Sequence, residues 1–483
     1  MNDLAASPSP LWRGLALVAP LRARVSGLVP AAVNGISMDS RSLAPGDLFF
    51  AIHGENSNGH DYVAGAFAAG AAAAVVDEAH ADALRGSGPL LIVDDVLAGL
   101  ERLGMAARQR SSARIVAITG SVGKTSSKEG LALVLRQSGA THAAVASFNN
   151  HWGVPLTLAR MPESSRYGVF EIGMNHAGEI TPLVAMVRPH IALVTTVAAV
   201  HLENFASVDD IARAKGEIFS GLVPGGAAII NRDIPQFALL ADMAKQSPAR
   251  HIMSFGGDPG ADAQLLEAAV RDGATFVKAR VLGRELEFRL GAAGVHFAQN
   301  ALGILLAARA MGLDLAVAAA ALAEFGAPKG RGATTILQLP QGQATLIDES
   351  YNANPASMRA ALAVLAATMP ATSTGRRIAV LGDMLELGAS AGAMHRELGA
   401  VIEQLGIDKV FTAGPMMGEL YEALPESRRA GHADNAVDLA GLVQNNLRAN
   451  DIIMVKGSNG SRMGLIVTGL REVFASDAAA DKI

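Results

Sequence analysis

The sequence predicts an α/β fold of three domains: a small α/β N-terminal domain, a central P-loop-type domain with a mostly parallel sheet, and a C-terminal Rossmann-like domain. Its 483 residues correspond to about three domains of ordinary size. Short apolar runs alternate with helical patterns along most of the chain, which is typical of parallel sheets covered by helices. A Pro-Lys-Gly-Arg-Gly segment at residues 328–332 lies between two such regions and predicts a linker.

The N-terminal domain is expected to span residues 1–110. Apolar runs such as residues 47–52 and 72–76 are short, and glycines interrupt them. Short apolar runs bounded by glycine indicate strands joined by turns. This part contains no phosphate-binding glycine loop of its own, so we expect a small unit that contributes no nucleotide loop.

The central domain is expected to span residues 111–328. Residues 276–290 alternate apolar and polar side chains around Leu282-Gly283 and predict a β-hairpin. A long apolar helix is expected over residues 296–311. Near-continuous apolar runs predict buried parallel strands at residues 115–118, 143–146, 167–172, 191–197 and 227–230.

The C-terminal domain is expected to span residues 329–483, where strand and helix patterns alternate again. This alternation predicts a separate doubly wound domain. Strands are expected at residues 344–347, 378–381, 410–413 and 452–455, with helices that begin near Ser357, His395 and Ser461.

The most specific motif is the loop Gly120-Ser121-Val122-Gly123-Lys124-Thr125. It follows the predicted strand at residues 115–118 and precedes an amphipathic stretch. Strand, glycine loop and helix in this order direct backbone N–H groups and a helix N-terminus at phosphate. In such loops the lysine reaches the outer phosphates and the threonine hydroxyl binds Mg²⁺. Ile118 occupies the first glycine position of a full P-loop, so the loop is a shortened form. We expect it to bind a nucleoside triphosphate.

Composition excludes several classes of protein. The formal net charge of −5 argues against a nucleic-acid partner. The chain has no cysteine, which excludes disulfides, thiolate metal sites and cysteine nucleophiles. No uncharged apolar run approaches the roughly 18 residues of a membrane span, and the first residues lack the pattern of a signal sequence. We expect a cytoplasmic protein without a membrane span.

Polar residues follow two predicted strands of the central domain, at the edge where parallel sheets bind ligands. Glu171 lies at the end of the run at residues 167–172, and a carboxylate there is a natural Mg²⁺ ligand. His201 follows the run at residues 191–197 and is expected at the same edge. A surface glutamate and a core histidine are the alternatives.

Further polar groups point to a site between the last two domains. His296 and Asn300 are four residues apart and share one helix face, and an asparagine can pair with adenine. A simple polar stripe is the alternative. Polar loops also follow three predicted C-terminal strands, at residues 348–355, 381–384 and 456–462.

Together these residues resemble the Mur ligase family, the ATP-dependent amide ligases of peptidoglycan synthesis. The resemblance covers nearly the whole chain, and its motifs stand in the family's order and spacing. These motifs are residues 119–125, Glu171-Ile172-Gly173-Met174-Asn175, His201, Ala214-Lys215, His296 with Asn300, Gly330-Arg331, Asp348 with residues 351–355, and Lys456-Gly457-Ser458.

The resemblance implies an ATP site with two Mg²⁺ ions in the central domain. Lys124 would bind the outer phosphates, Thr125 and Glu171 would hold one Mg²⁺, and His201 would bind the second. Lys215 matches the lysine that family members carry as a CO₂-derived carbamate, which would replace a positive ammonium group by a negative oxygen ligand. The implied catalytic residues are Lys124, Glu171, His201 and Lys215. The implied ATP contacts are Gly120, Ser121, Val122, Gly123, Lys124, Thr125, Asn300, Arg331 and Asp348.

The resemblance also implies two substrate sites. Ser40 and Arg41 match the family's uridine-diphosphate segment, and Asn149 and Asn150 match its sugar-peptide loop. Asn58 stands where family members often have aspartate. The residues implied for the dipeptide or C-terminal site are Tyr351, Asn352, Asn354 and Lys456.

The implied activity joins D-alanyl-D-alanine to UDP-N-acetylmuramoyl-tripeptide with ATP, through an acyl phosphate. The nearest alternative is the sister ligase that adds a free diamino acid, whose Asp-Asn-Pro-Arg motif is absent here. The uridine-type segment argues against folylpolyglutamate synthase. A nucleotide-gated regulatory ATPase stays open, whereas a dinucleotide oxidoreductase lacks its Gly-x-Gly-x-x-Gly fingerprint. Diaminopimelate and lysine are both open as the tripeptide's last residue, and we expect a monomer.

Overall fold

A computed structural model describes residues 9–54, 57–200 and 202–474 of the chain. Within these residues the strands form three large sheets of five, nine and six strands, in chain order, and one two-stranded ribbon. Helices cover the sheets, so the α/β class and the three-domain architecture are confirmed. None of the described helices combines the length and the apolar content that crossing a bilayer requires.

The N-terminal sheet has the strand order β2-β7-β6-β5-β4, and all its pairs are parallel except β2 with β7. Strands β1 and β3 form the separate ribbon. The elements are β1 (Trp12–Arg13), α1 (Leu15–Leu21), β2 (Arg24–Ser26), β3 (Ala32–Val33), β4 (Gly35–Ser37), β5 (Asp47–Phe50), α2 (Val63–Ala68), β6 (Ala73–Asp77), α3 (Glu78–Ala81), β7 (Leu90–Val93) and α4 (Val96–Arg110).

The central sheet has the order β16-β15-β14-β13-β12-β11-β8-β10-β9, parallel from β9 to β14 and antiparallel beyond. The elements are β8 (Arg114–Thr119), α5 (Lys124–Arg136), β9 (Thr141–Ala143), α6 (Gly153–Ala159), β10 (Tyr167–Glu171), α7 (Ile180–Val187), β11 (Ile191–Val194), α8 (Val208–Gly216), β12 (Ala227–Asn231), α9 (Phe237–Lys245), β13 (His251–Gly256), β14 (Ala263–Arg271), β15 (Ala274–Val281), β16 (Arg284–Leu290), α10 (Val295–Ala310) and α11 (Leu315–Ala321).

Two apolar cores enclose the central sheet. Side chains of α5, α10 and α11 pack on one face, and those of α6 to α9 pack on the other. Because both faces are covered, the parallel strands read as continuous apolar runs in the sequence. Strands β8, β10 and β11 are neighbours in the sheet. Polar groups can therefore meet at their carboxyl ends, which the helices do not cover.

The C-terminal sheet has the order β17-β18-β22-β19-β20-β21, in which only β17 is antiparallel to its neighbour. Its two faces carry separate apolar cores. The elements are β17 (Ala333–Leu339), β18 (Gly342–Glu349), α12 (Pro355–Ala367), β19 (Arg377–Gly382), α13 (Ala391–Gln404), β20 (Lys409–Ala413), α14 (Pro415–Ala423), β21 (Arg429–Ala433), α15 (Ala436–Asn446), β22 (Ile452–Lys456) and α16 (Gly464–Val473).

Some predicted elements differ from the structure. The hairpin is confirmed, with Leu282 and Gly283 at φ 50° and 80° in its two-residue turn. The strand expected at residues 143–146 instead ends at Ala143, and Ala146 has a left-handed backbone with φ 60°. Strands β13, β14, β17 and β21 are among those that the sequence did not predict. Strands β14 and β17 carry many polar, partly exposed side chains, so they lack the apolar run of a buried strand.

Partly buried histidines predict that the fold loses stability in mild acid. Burial lowers the pKa of His142 to about 4, and its Nε2 lies 2.8 Å from the Thr157 carbonyl oxygen. Burial likewise lowers the pKa values of His190 and His296 to about 4. Each group is neutral when folded but binds a proton when unfolded between pH 6.5 and 4. The contribution of these neutral histidines to the free energy of unfolding is therefore complete above about pH 6.5 and is lost as the pH falls through 4. For His142 this contribution is on the order of 3 kcal/mol.

The measurement is the thermal midpoint of unfolding at pH 7, 6 and 5. We expect it to fall across this range, and to fall less steeply in His142→Gln, which has no proton to bind there. His251→Gln, at an exposed histidine, is the matched control. Equal slopes in the parent and in His142→Gln would contradict the assignment.

Candidate active site

The glycine loop connects β8 to α5 and passes close against the neighbouring strand β11. Gly120 has φ 150°, and a Cβ atom there would lie 1.9 Å from Thr195 Oγ1. Gly123 has φ 86°, and a Cβ atom there would lie 2.7 Å from Asn300 Nδ2. Both positions therefore require glycine, for backbone conformation and for space. This packing places the N-terminus of α5 at a cavity, where its free N–H groups can bind an anion.

Lys124 is the first residue of α5, and its side chain folds back over the loop. Its Nζ donates a hydrogen bond of 2.6 Å to the Gly120 carbonyl oxygen. Burial lowers the pKa of Lys124, the Glu171 carboxylate opposes this shift, and the Arg331 charge adds to it. The loop lysine is thus held where positive charge accumulates, which is the requirement for binding phosphate.

Four polar side chains meet beside Lys124. Thr125 Oγ1 donates to Glu171 Oε2 at 2.8 Å and lies 3.0 Å from Ser147 Oγ. Asn149 Nδ2 donates to the other carboxylate oxygen of Glu171 at 2.7 Å. Glu171 is almost fully buried at the end of β10. The cluster offers carboxylate, hydroxyl and amide oxygens, the ligand types that Mg²⁺ prefers.

The linker brings a second cation to this cluster. Arg331 Nη2 lies 3.4 Å from Ser147 Oγ, and its guanidinium group stacks over the Tyr351 ring at 4.0 Å. Asp348 is buried; it accepts from Ser350 Oγ at 2.6 Å and pairs with Arg471 at 3.4 Å. Asp348 thus orders the end of β18, while Arg331 contacts the central domain.

A cavity of about 280 Å³ lies between the central and C-terminal domains. The glycine loop and Asn300 line one side, together with Phe297 and His296. Arg331, Asn352 and Lys456 line the other side. The cavity thus joins an anion-binding loop to an aromatic and amide-bearing helix face, as an adenine nucleotide requires.

Lys456 is a buried cation at the end of β22. Its Nζ donates to the Asn352 carbonyl oxygen at 2.9 Å and to Glu349 Oε2 at 3.4 Å. Burial lowers the pKa of Lys456 and raises the pKa of Glu349, and the attraction between the two opposes both shifts. This pair fixes the loop that follows β18, with Asn352 facing the cavity.

Lys215 lies in the last turn of α8 and is 2% exposed. Burial lowers its pKa far below the ordinary value, and the nearby Lys124 charge lowers it further. Among the described residues it has neither a hydrogen bond nor an ion pair. His201, the other metal ligand expected on this side, lies outside the described residues.

Four predicted contact residues lie elsewhere, and Asn354 among them lines the cavity with Asn352 and Lys456. Ser40 and Arg41 lie in the loop between β4 and β5, where Arg41 is exposed and pairs with Asp39 at 2.8 Å. The side chain of Asn150 accepts from the backbone N–H of Gly153, at the start of α6, and that of Asn354 accepts from the N–H of Ser357 and caps α12. The structure does not bring these four into the cluster around Glu171.

Several lining residues were not predicted from the sequence. Ser147 contacts both Thr125 and Arg331. Thr195 Oγ1 donates to the Val122 carbonyl oxygen at 2.6 Å, and Glu349 pairs with Lys456. Thr195 and Glu349 stand at strand ends, the signal that identified Glu171, whereas Ser147 depends on the unexpected turn at Ala146.

A histidine cluster in the N-terminal domain also requires explanation. His60, Asp77 and His80 are the one group of potential metal ligands found within the described range. His60 bonds Asn58 Oδ1 at 2.7 Å through Nδ1 and accepts from the Asp77 N–H through Nε2. His80 bonds Asp77 Oδ1 and Asn58 Nδ2 through its two nitrogens. All four ring nitrogens are engaged, so the cluster is a hydrogen-bond network that Asn58 organises.

Comparison with known proteins gives consistent matches along the chain. The profile "Mur ligase family, catalytic domain" matches residues 32–120, "Mur ligase middle domain" matches 118–308, and "Mur ligase, glutamate ligase domain" matches 335–459. UDP-N-acetylmuramoyl-tripeptide–D-alanyl-D-alanine ligase of Escherichia coli is 36% identical over 91% of this chain and 94% of its own length. The enzyme of that name from Rickettsia prowazekii is 32% identical over 95% and 99%. The crystal structure of MurF from Acinetobacter baumannii superposes with a TM-score of 0.81, at 29% identity over 96% of this chain and 100% of that one.

Proposed function

The chain belongs to the Mur ligase family, and we propose that it joins D-alanyl-D-alanine to UDP-N-acetylmuramoyl-tripeptide with ATP, in peptidoglycan precursor synthesis. The reaction forms a carbon–nitrogen bond and releases ADP and phosphate. One observation carries the proposal: Thr125 and Glu171 meet at 2.8 Å beside the glycine loop, in a chain that matches dipeptide-adding ligases over nine-tenths of its length.

ATP occupies the cavity between the central and C-terminal domains. The N–H groups of residues 120–125 and the Lys124 ammonium group bind its outer phosphates. Asn300 faces the adenine, and Arg331 and Asp348 act on the nucleotide from the linker and from the end of β18. The cation–π contact with Tyr351 holds the Arg331 guanidinium group over this cavity.

The oxygen donors near Lys124 fit a magnesium site. Thr125 and Glu171 would hold one ion, and His201 and Lys215 belong to the site of a second. Bound Mg²⁺ supplies charge that offsets the phosphate oxygens in the transition state. Asn149 orients the Glu171 carboxylate through its 2.7 Å hydrogen bond, which leaves the Thr125 side of that carboxylate for the metal.

Lys215 fits modification by CO₂. Burial lowers the pKa of Lys215 and so favours its neutral amine, which is the form that can add CO₂. The product carries a carboxylate in place of a cation that Lys124 would repel. Lys215 would then supply oxygen ligands to the second ion.

The substrates are assigned by domain. The uridine diphosphate belongs to residues 1–110 near Ser40 and Arg41, and ATP to residues 111–328. The dipeptide and part of the nucleotide belong to residues 329–483. The sugar-peptide contacts are Asn149 and Asn150, and the dipeptide-side residues are Tyr351, Asn352, Asn354 and Lys456. A monomeric state and a cytoplasmic location stay predictions.

The chemistry follows from these positions. The terminal carboxylate of the tripeptide attacks the γ-phosphorus, the bond to the β-phosphate oxygen breaks, and an acyl phosphate forms. The dipeptide amine then attacks the acyl carbon, loses a proton, and phosphate leaves. Because water hydrolyses acyl phosphates, the domains must close over the intermediate. Gly330 and Gly332, at φ 74° and 104°, are the candidate hinge positions.

The test is phosphate release from ATP in the presence of UDP-N-acetylmuramoyl-tripeptide, with D-alanyl-D-alanine or a free diamino acid as acceptor. The dipeptide-bearing substrate of the sister ligase, paired with the free diamino acid, runs alongside. Turnover that requires both the tripeptide and D-alanyl-D-alanine supports the proposal. Turnover only with the free diamino acid would assign the sister activity, and acceptor-independent turnover would indicate a regulatory ATPase.

Thr125→Ala is expected to raise the Mg²⁺ concentration for half-maximal activity about fivefold, because one hydroxyl contact is worth about 1 kcal/mol. The thermal midpoint should change little. Thr157→Ala is the matched control, since this buried threonine donates to the Gly153 carbonyl oxygen within α6. An unchanged Mg²⁺ dependence would remove Thr125 from the metal site.

A further inference from the structure

Lys128 is a fully buried lysine that no step above uses. It lies one helical turn after Lys124 in α5, with 0% of its surface exposed. Its ammonium group has three acceptors: the Ala144 carbonyl oxygen at 2.6 Å, the Ala146 carbonyl oxygen at 2.7 Å and Glu129 Oε1 at 2.8 Å. Lysine is almost never buried without partners, and here every N–H has one.

Two of these acceptors belong to a strained turn. Ala146 bears the second of these carbonyl groups and has φ 60°, a left-handed conformation that is unfavourable for alanine. Such a conformation persists only where surrounding contacts impose it. The Lys128 ammonium group binds the carbonyl group of Ala146 itself and that of Ala144, and so supplies the constraint.

The turn determines where the next residues point. Ser147 follows directly and places its hydroxyl 3.0 Å from Thr125 Oγ1 and 3.4 Å from Arg331. Asn149 follows two residues later and bonds Glu171 at 2.7 Å. The segment of residues 144–149 therefore brings two side chains to the cluster at the start of α5.

We propose that Lys128 is a positioning residue that clamps residues 144–149 to the first turns of α5. The clamp sets Ser147 and Asn149 in register with Thr125 and Glu171. This proposal rests on the proposed function in one respect, namely that the cluster binds Mg²⁺ and lies beside the tripeptide. An apolar side chain could fill the same volume, but it could not hold two carbonyl groups of one turn.

The test is Lys128→Met, which keeps the length and burial of the side chain and removes its three donors. We expect about a tenfold rise in the KM for UDP-N-acetylmuramoyl-tripeptide and in the Mg²⁺ concentration for half-maximal activity. The KM for D-alanyl-D-alanine should stay within about twofold, because that substrate is assigned to the other domain. Lys245→Met, at an exposed lysine paired with Asp242, is the control and should match the parent.

Ala146→Gly in the Lys128→Met background provides the rescue. Glycine adopts a positive φ without strain, so the turn needs the clamp less and part of the KM increase should disappear. Ala146→Val attacks the same contact from the other end, because a β-branched residue resists φ 60°. It should reproduce the selective KM increase, and it carries the test if Lys128→Met does not fold.

The outcomes separate the two proposals. A parent enzyme that does not ligate the dipeptide overturns the proposed function before any variant is compared. If the parent ligates, the clamp is overturned by Lys128→Met with unchanged KM values or with all three raised alike. A double variant no better than Lys128→Met also overturns it. Selective KM increases with rescue by glycine support it.

Discussion

Lys215→Ala is expected to lower kcat by about 1,000-fold or more, because it removes the residue assigned to the second metal ion. The alanine leaves a buried space next to Lys124, whose positive charge attracts anions. Formate or acetate at high concentration should therefore enter that space and restore part of the activity. The measurement is phosphate release with all three substrates, with and without the added acid.

Lys245→Ala separates this effect from a general loss of lysine charge, since Lys245 is exposed on α9. The control should keep full activity and should not respond to added carboxylic acids. Full activity of Lys215→Ala would eliminate the carbamate assignment. If Lys215→Ala is inactive and no small acid restores its activity, Lys215 is essential but does not act by supplying oxygen ligands.

Glu171→Gln is expected to lower kcat by about 100-fold or more, because a carboxylate charge at the metal site is lost while size and shape are kept. A second readout comes from Lys124. The Glu171 carboxylate raises the pKa of Lys124 against the effect of burial, so its loss lowers that pKa further. The variant should therefore lose activity on the alkaline side at a lower pH than the parent.

Glu285→Gln is the matched control, since Glu285 lies in the exposed hairpin and pairs with Arg280 at 3.2 Å. Its kcat and its pH profile should equal those of the parent. A Glu171→Gln enzyme with parental kcat and an unshifted alkaline limb would place both the metal and the Lys124 charge elsewhere.

Buried parallel strands were the part of the fold that the sequence predicted best. The runs at residues 115–118 and 227–230 are apolar throughout because helices cover both faces of the central sheet, and they lie within β8 and β12. Strand β14 escaped prediction because tertiary pairing with β13 and β15, and not its own apolar content, places it in the sheet. Pairing partners cannot be read from a single strand.

The site residues also fall into two groups, those that the sequence predicts and those that depend on tertiary contacts. Glu171 ends β10, and Lys124 and Thr125 begin the helix that follows β8, so topology alone brings them to one edge of the sheet. Ser147 and Lys128 could not be found in this way. The position of Ser147 depends on the positive φ of Ala146. In the sequence Lys128 looks like an ordinary lysine on a helix surface, and only the structure shows that it binds carbonyl groups of residues 144–146.

The Ser147 hydroxyl couples the linker to the proposed magnesium position. This hydroxyl lies between Thr125 of the central domain and Arg331 of the linker. Both the orientation of the C-terminal domain and the binding of a metal ion at Thr125 therefore depend on it. Thermodynamic linkage makes such sharing reciprocal. If an acceptor that favours the closed arrangement tightens magnesium binding, then magnesium tightens acceptor binding by the same factor. The order of substrate addition would then be a property of the whole cycle of equilibria and not of any single pocket.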